Sequence, residues 1–404
     1  MRGRSRRLRP QGHSRLVKQG KLTFEHLLFK GVLGVKSLLR DLRGPPSHGE
    51  ASEILIVAST FLGDLMMSLP LVAAVCKRYP RANVTLLVRK EYVALAERVR
   101  GVRRVIPEPT AYAELRKITA LVPNRFDIAF VVFETRLLPL MAALDVREIV
   151  SFDDPKGRHS RLIDRTIPFP TDRPEMMHQA WLALRLLGSD PQLPVLRPPY
   201  LDLSTIPEPK KVSRPYVVMH IGARSPLRQW LPERYAQVVV ALHERGVETM
   251  LTGMDDDALL ATRLTELLPP HVTLTNLVGQ TSLLGLAKRI ERARAVFGAD
   301  TGVLHLAKAL GLPAVVLMGQ GQNELYGDAG QLFGPGQYFY VSALPCRDKH
   351  SLHGHQVSWV STCSRRQCVL EKQLCIYDVQ AEPVIAALLK FALSEVAPQI
   401  QTVR

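Results

Sequence analysis

Short, almost unbroken apolar runs alternate with longer segments of mixed polarity along most of this chain. A first series begins with ILIVAST (54–60), turns at Phe61-Leu62-Gly63-Asp64 and continues as a helix-like segment to Arg78. It returns with NVTLLV (83–88), FDIAFVV (126–132) and VREIVSF (146–152). A second series opens with PYVVMHI (215–221) and a helix starting near Pro232, followed by VETMLTG (247–253), a helix over 256–268, VTLTNLV (272–278), ARAVFGA (293–299) and PAVVLMG (313–319). Runs this apolar and this short are the pattern of parallel strands covered on both faces, and their alternation with helical segments marks βαβ crossovers. The rhythm occurs twice, which predicts an α/β chain of two doubly wound, Rossmann-like domains facing each other across a cleft. Between them, residues 188–215 are proline-rich and read as a linker. We therefore divide the chain into a tail (1–50), a first domain (51–200), a second domain (201–378) and a C-terminal helix (379–404) that packs back toward the first domain.

Sheets of this kind bind ligands at the carboxyl ends of their strands, so candidate chemistry is sought there. The most informative turn follows ARAVFGA and carries Asp300, Thr301 and Gly302, with His305 one helical turn on. A strand, a glycine-containing turn and a helix N-terminus present unpaired N–H groups and a positive dipole end, which suits an anionic ligand. In the first half, Gly63 permits a tight turn and Asp64 stands at the start of the next helix. That aspartate reads either as a capping residue or as a carboxylate at the cleft edge acting as general base. Arg224 and Arg228 precede Trp230 and Pro232 and read as a diphosphate grip or as a solvated basic loop. Asp255, Asp256 and Asp257 follow a strand, where an acidic residue can accept from ribose hydroxyls or simply complement a helix dipole. There is no GxxxxGK[ST] and no GxGxxG after a strand, against a P-loop and an ordinary NAD site.

Charge changes the picture at one end. The formal net charge is +16, and residues 1–50, with 12 Lys/Arg against three acidic residues, carry +9 of it. Within that tail Phe24, Leu27, Leu28, Val32, Val35, Leu38 and Leu39 recur at helical spacing between basic residues, as in an interfacial amphipathic helix; a solvated arm is the plainer alternative. No apolar run is long enough to span a bilayer and no cleavable signal follows the basic start, so a cytoplasmic protein held peripherally on the inner membrane face is expected. The chain contains no nucleic-acid module. Cys346, Cys363, Cys368 and Cys375 could close a zinc site, but their spacing lacks the CxxC knuckle, and reduced thiols packing a loop-rich segment are the expectation.

Taken in order over about residues 52–385, these segments resemble glycosyltransferase family 9, the lipopolysaccharide core heptosyltransferases. GADTGVLHLAKALGLPAVVLMG is similar to the family's D-T-G-x-x-H-L-A motif, and GARSPLRQWLPERYAQV, TGMDDD, NLVGQTSLLGLA and FLGDLMMSLPLVAAVCKRYP fall where related segments occur. The resemblance implies a GT-B fold and an inverting, metal-independent transfer of a heptose from ADP-heptose to a lipid-linked inner-core acceptor, with no cofactor besides the ADP-sugar co-substrate. It implies Asp64 as base, Gly63 and Arg136 on the acceptor side, and Arg224, Arg228, Asp256, Asp300, Thr301, Gly302 and His305 around the donor. Departures are Ala58 where an arginine is common, Leu231 between Trp230 and Pro232, and MGQGQNELYGD after the last apolar run of the second half. A hexose or GlcNAc donor, or a non-catalytic sugar-nucleotide-binding protein, are the alternatives.

Overall fold

The computed structural model describes residues 51–394 apart from 121, 124, 158, 173, 175–177, 189–195, 210–212 and 342–343, together with Gly31 and Val35. The expected amphipathic helix of the tail therefore lies outside the described residues, as does the end of the chain.

The apolar runs become two six-stranded, fully parallel sheets. The first contains β1 (Glu53–Val57), β2 (Asn83–Val88), β3 (Arg104–Pro107), β4 (Phe126–Val131), β5 (Val146–Phe152) and β6 (Arg165–Ile167), in the order 3-2-1-4-5-6. The second contains β7 (Tyr216–His220), β8 (Glu248–Thr252), β9 (Thr275–Asn276), β10 (Ala295–Ala299), β11 (Ala314–Met318) and β12 (Gly336–Tyr340). Its order is β9-β8-β7-β10-β11-β12, the same topology repeated. In each sheet the order reverses between the first and fourth strands, which opens a crevice at their carboxyl ends. For the second sheet that crevice lies beyond His220 and Ala299; for the first, beyond Val57 and Val131.

Three layers of core hold the sheets. One covers the outer face of the first sheet, with Phe126, Leu138, Met141 and Ile149 fully or almost fully buried. A second covers the outer face of the second sheet around Trp230, Tyr235 and Phe297, whose rings pack at 5.3–5.8 Å. The third runs unbroken between the domains: α1 (Leu62–Arg78) contributes Leu65, Leu69 and Val72, and α3 (Gly302–Ala309) contributes Leu304, Leu306 and Ala307. Apolar contact across the interface is what fixes the cleft geometry, since burial is the main favourable term in association.

Two expectations about the chain's course are revised. The C-terminal helix α4 (Ala381–Ala392) does not return to the first domain. Its buried face, Ala381, Val384, Leu388 and Ala392, joins the outer core of the second sheet beside α2 (Pro232–Glu244). The Trp230 indole and the Arg234 guanidinium both donate to the carbonyl of Val379 and fix the helix's entry there. The proline-rich segment is also more than a tether. Tyr200, Leu201 and Leu203 are buried; Tyr200 takes an N–H bond from Arg100 and gives one to Ala309, stitching the two domains at their back.

Candidate active site

The N-termini of α1 and α3 meet tip to tip across the cleft. A Cβ added to Gly302 would lie 2.6 Å from Leu62 Cβ, and one added to Gly63 would lie 3.1 Å from His305 Cδ2. Two glycines are thus needed where the domains touch, because only hydrogen at Cα lets the backbones approach this closely. The arrangement aims two positive helix ends at one volume.

Around that volume stand the charged groups. Asp64 occupies the first turn of α1 and accepts a hydrogen bond from the Phe61 N–H, so it does complete the helix start as a capping residue would. Burial nevertheless dominates its chemistry and, with the nearby Glu134 and Asp300 charges, outweighs the Phe61 N–H and Arg228; its carboxyl is pushed up to about 6. Asp300 is buried, with Oδ1 3.1 Å from His305 Nε2. Burial alone would raise its carboxyl, but the His305 bond and the charges of His305, Arg228 and Lys308 hold it below its ordinary value. Two carboxylates in one site are thereby driven apart, one a firm anion and the other poised near neutrality, the condition for dividing roles between them.

Arg228 donates Nη1 to the Asp300 carbonyl at 2.8 Å, which anchors the guanidinium at the tip of α3. Its Nε is buried with no partner, and so are Thr301 Oγ1 and Ser225 Oγ beside it. Native proteins seldom leave buried polar atoms unpaired. Arg228 Nε and Thr301 Oγ1 at the tip of α3, with Ser225 Oγ at the start of the turn that carries Arg228, are what a bound anion would satisfy. Arg224 is exposed and lays its guanidinium 4.3 Å from the Phe61 ring centroid, reaching from the second domain to the first. In the TGMDDD turn Asp257 points inward and accepts from Met254 N–H at 2.8 Å, whereas Asp255 and Asp256 remain exposed beyond β8.

On the first-domain side Arg136 is held by two carboxylates. It donates to Glu108 at 2.5 and 3.1 Å and pairs with Glu134 at 2.6 Å, while Ser59 also donates to Glu108. Half of the Arg136 side chain remains exposed, so it faces the cleft as part of a network rather than as a lone cation.

Several participants were not foreseen. Glu108 escapes notice because it follows β3, whose short and partly polar run the apolar pattern does not mark; Glu134 stands two residues beyond the run FDIAFVV, where the sequence gives no sign that it faces Asp64. Tyr326, half-buried in the single helical turn Asn323–Tyr326 after β11, stands within electrostatic reach of Asp64, Asp300 and Arg228. The loop after β11 closes on the site: a Cβ at Gly321 would lie 3.0 Å from Asp300 Oδ2. Lys308 anchors it from α3, donating to the Gly327 carbonyl at 2.6 Å, with burial lowering its ammonium to about 8. A lysine on a helical run was the available signal, and it reads as surface unless the helix is known to be buried.

Two facing Rossmann-like domains with a polar cleft between their strand ends give this protein a GT-B fold. Residues 177–352 match the profile of glycosyltransferase family 9 (heptosyltransferase). The chain is 25% identical over 308 residues to lipooligosaccharide heptosyltransferase 2 of Haemophilus ducreyi, a match spanning 70% of this chain and 85% of that one. It is 26% identical over 299 residues to lipopolysaccharide heptosyltransferase 2 of Escherichia coli, spanning 66% and 82%. Among solved structures, E. coli ADP-heptose lipopolysaccharide heptosyltransferase II superposes with a TM-score of 0.63 at 19% identity over 85% of this chain and 100% of that one. An E. coli heptosyltransferase solved with ADP superposes with a TM-score of 0.60 at 19% identity, over 71% of this chain and 93% of that one.

Proposed function

We propose that this enzyme transfers a heptose from ADP-heptose to a lipid-linked lipopolysaccharide inner-core acceptor, with inversion at the anomeric carbon and without metal or cofactor. The observation that carries the donor side is a set of buried, unpartnered donors, Arg228 Nε and Thr301 Oγ1 at the tip of α3 and Ser225 Oγ at the start of the turn that carries Arg228. The donor's diphosphate fills that place, and as the bond to the sugar breaks its growing negative charge meets Arg228 and the helix N-terminus. Asp256, exposed beyond β8, accepts from the adenosine ribose. Asp64 stands across the cleft as the base that removes the proton of the incoming hydroxyl. One base suffices, because inversion is a single displacement. Asp300 is not that base: buried, bonded to His305 and held below its ordinary value, it orients the loop that presents Thr301 and Gly302. Arg136, with Glu108 and Glu134, borders the acceptor side. The heptosyltransferase names of the relatives support the choice of sugar and acceptor.

The donor reading is tested by thermal shift with ADP-, UDP- and GDP-sugars. A ligand at 100 times its dissociation constant adds about 2.7 kcal/mol to apparent stability. ADP-heptose is expected to raise the melting temperature, and Arg228→Ala to remove that rise. A response to UDP- or GDP-sugars alone would replace the ADP-heptose assignment with the hexose or GlcNAc reading.

Among the described residues no helix is long and apolar enough to cross a membrane. A membrane-borne acceptor is instead reached by residues 1–50, whose excess of basic residues binds anionic lipid at the inner face of the cytoplasmic membrane. Deleting residues 1–45 is expected to abolish co-sedimentation with vesicles containing anionic lipid and to leave turnover of a soluble acceptor intact. Unchanged sedimentation would remove the anchor from the scheme.

A further inference from the structure

Beyond β12 the chain crosses over to the first sheet. β13 (Ser351–Leu352) and β14 (His355–Gln356) form an antiparallel hairpin closed by His353-Gly354, whose φ angles are 48° and 90°. Two positive values in a two-residue turn are the type I′ pattern, for which Asn-Gly is the usual sequence. The hairpin packs on residues at and beyond the strand ends of the first sheet. The His355 ring stacks on Phe169 at 4.1 Å, and the Trp359 indole donates to the Thr171 carbonyl at 3.1 Å. The His353 ring lies 4.0 Å from that of Phe133 and nearly parallel to it, and its Nε2 is 2.6 Å from Gln179 Oε1. The turn lies outside the stretch that matches the family profile.

Phe133 is itself left-handed, with φ 61°, a conformation in which a bulky side chain is seldom found. Backbone of that kind persists only where its surroundings hold it. Two rings parallel to its own do so here, His353 at 4.0 Å and Phe152 at 5.9 Å. The residues that follow border the cleft: Glu134, next in the chain, pairs with Arg136 at 2.6 Å and is one of the charges that Asp64 meets. Gln179, the other partner of His353, is buried in the first turn of the helix Gln179–Arg185, which packs on α1, the helix of Asp64. One hairpin tip thus touches both supports of the acceptor side.

We propose that His353 is a positioning residue for the acceptor side of the cleft: its ring, reaching over from the chain beyond the second sheet, holds Phe133 in the left-handed turn that sets Glu134 and Arg136 near Asp64. The inference rests on the reading of Asp64 as the base. The groups that face Asp64 are Glu134, Asp300, Arg228 and Tyr326; those that face Glu134 are Arg136, Glu108 and Arg89; those that face His353 are His355 and Lys349. Of these only Glu134 follows Phe133 directly. Burial, the main cause of the rise at Asp64, stays when the His353 ring is removed, whereas the like-charge repulsion from Glu134 weakens as its carboxylate swings away.

The test uses the full chain with His353→Asn, which suits the first position of the turn and removes the ring. The Asp64 carboxyl is followed directly by 13C NMR of protein labelled at the aspartate side-chain carboxyls, its signal being the one absent from Asp64→Asn. His353→Asn is expected to lower the Asp64 titration by at least about half a unit. It is also expected to raise KM for the acceptor about tenfold, with the thermal shift by ADP-heptose unchanged. In a Phe133→Asn background, where asparagine tolerates the left-handed backbone, His353→Asn is expected to shift the titration no further. An Asp64 titration unmoved by His353→Asn overturns the proposal, even if the melting temperature falls, because the hairpin is then a structural strap only. An equal shift in both backgrounds also overturns it, because His353 then does not act through Phe133. Transfer retained by Asp64→Asn removes the base from the mechanism, and the titration still decides whether His353 sets Glu134.

Discussion

Asp64→Asn is expected to lower kcat for sugar transfer by about 10²–10⁴-fold while donor binding, read by the thermal shift with ADP-heptose, is kept. The wild-type pH profile carries the same information. A base must be ionised to act, and this carboxyl titrates at about 6, so kcat/KM should rise through about pH 6 and then level. The variant's residual activity should lack that limb. The same substitution should stabilise the protein. Burial raises the folded-state carboxyl from 3.8 to about 6, so the charged form is disfavoured in the folded chain. This penalty is absent below the unfolded value and is fully present once the pH exceeds the folded value. Two units correspond to about 3 kcal/mol, and the carboxyl's partial contact with solvent lowers this to roughly 1–3 kcal/mol. Asn should therefore raise the melting temperature near pH 8, with the gain vanishing toward pH 4. Retained transfer by a folded Asp64→Asn enzyme would remove Asp64 from the mechanism.

The second large effect is steric. Gly302→Ala places a methyl group 2.6 Å from Leu62 Cβ and 3.0 Å from Gly63 N, where one side of the contact is backbone and cannot rotate away. The tips of α1 and α3 must separate, which moves Asp64 relative to Arg228. A misplacement of about 1 Å costs roughly 10²-fold in rate, and overpacking costs about 1–3 kcal/mol of stability. Gly63→Ala is milder, because its methyl meets the His305 ring at 3.1 Å and the ring can yield by a few tenths of an ångström. The expected order of kcat is wild type, then Gly63→Ala, then Gly302→Ala; equal activity of the two variants would show that the tip-to-tip contact does not set the catalytic distance.

The strands that the apolar pattern marks and those it misses differ in one respect. β1, β7, β10 and β11 lie inside their sheets, are buried along almost their whole length and stand out as apolar runs. RVIP, RTI and GQYFY, which form β3, β6 and β12, are all edge strands with mostly half-exposed residues, and the last run of the pattern to shrink, VTLTNLV, is the edge strand β9 with only two paired residues. An edge strand needs only one neighbour and one partly covered face, so its composition is free to be polar. Glu108 went unnoticed for this reason, since it follows one of those edges.

The site divides in the same way. Asp300, Thr301, Gly302 and His305 are adjacent in the chain, and a strand-turn-helix with such residues specifies an anion site by local geometry alone. Local sequence therefore determined the inner strands of the two sheets and the two strand-end turns. Which residues meet across the cleft was decided by the tertiary structure: Gly63 against His305, Arg224 over Phe61, and Tyr326 beside Asp64. Asp64 shows the difference most clearly. Its position in the first turn of a helix is written in the sequence, and capping follows from that. Its poise near neutrality follows from burial and from the charges of Glu134 and Asp300, which lie in the turns after other strands and reach it only when the chain has folded.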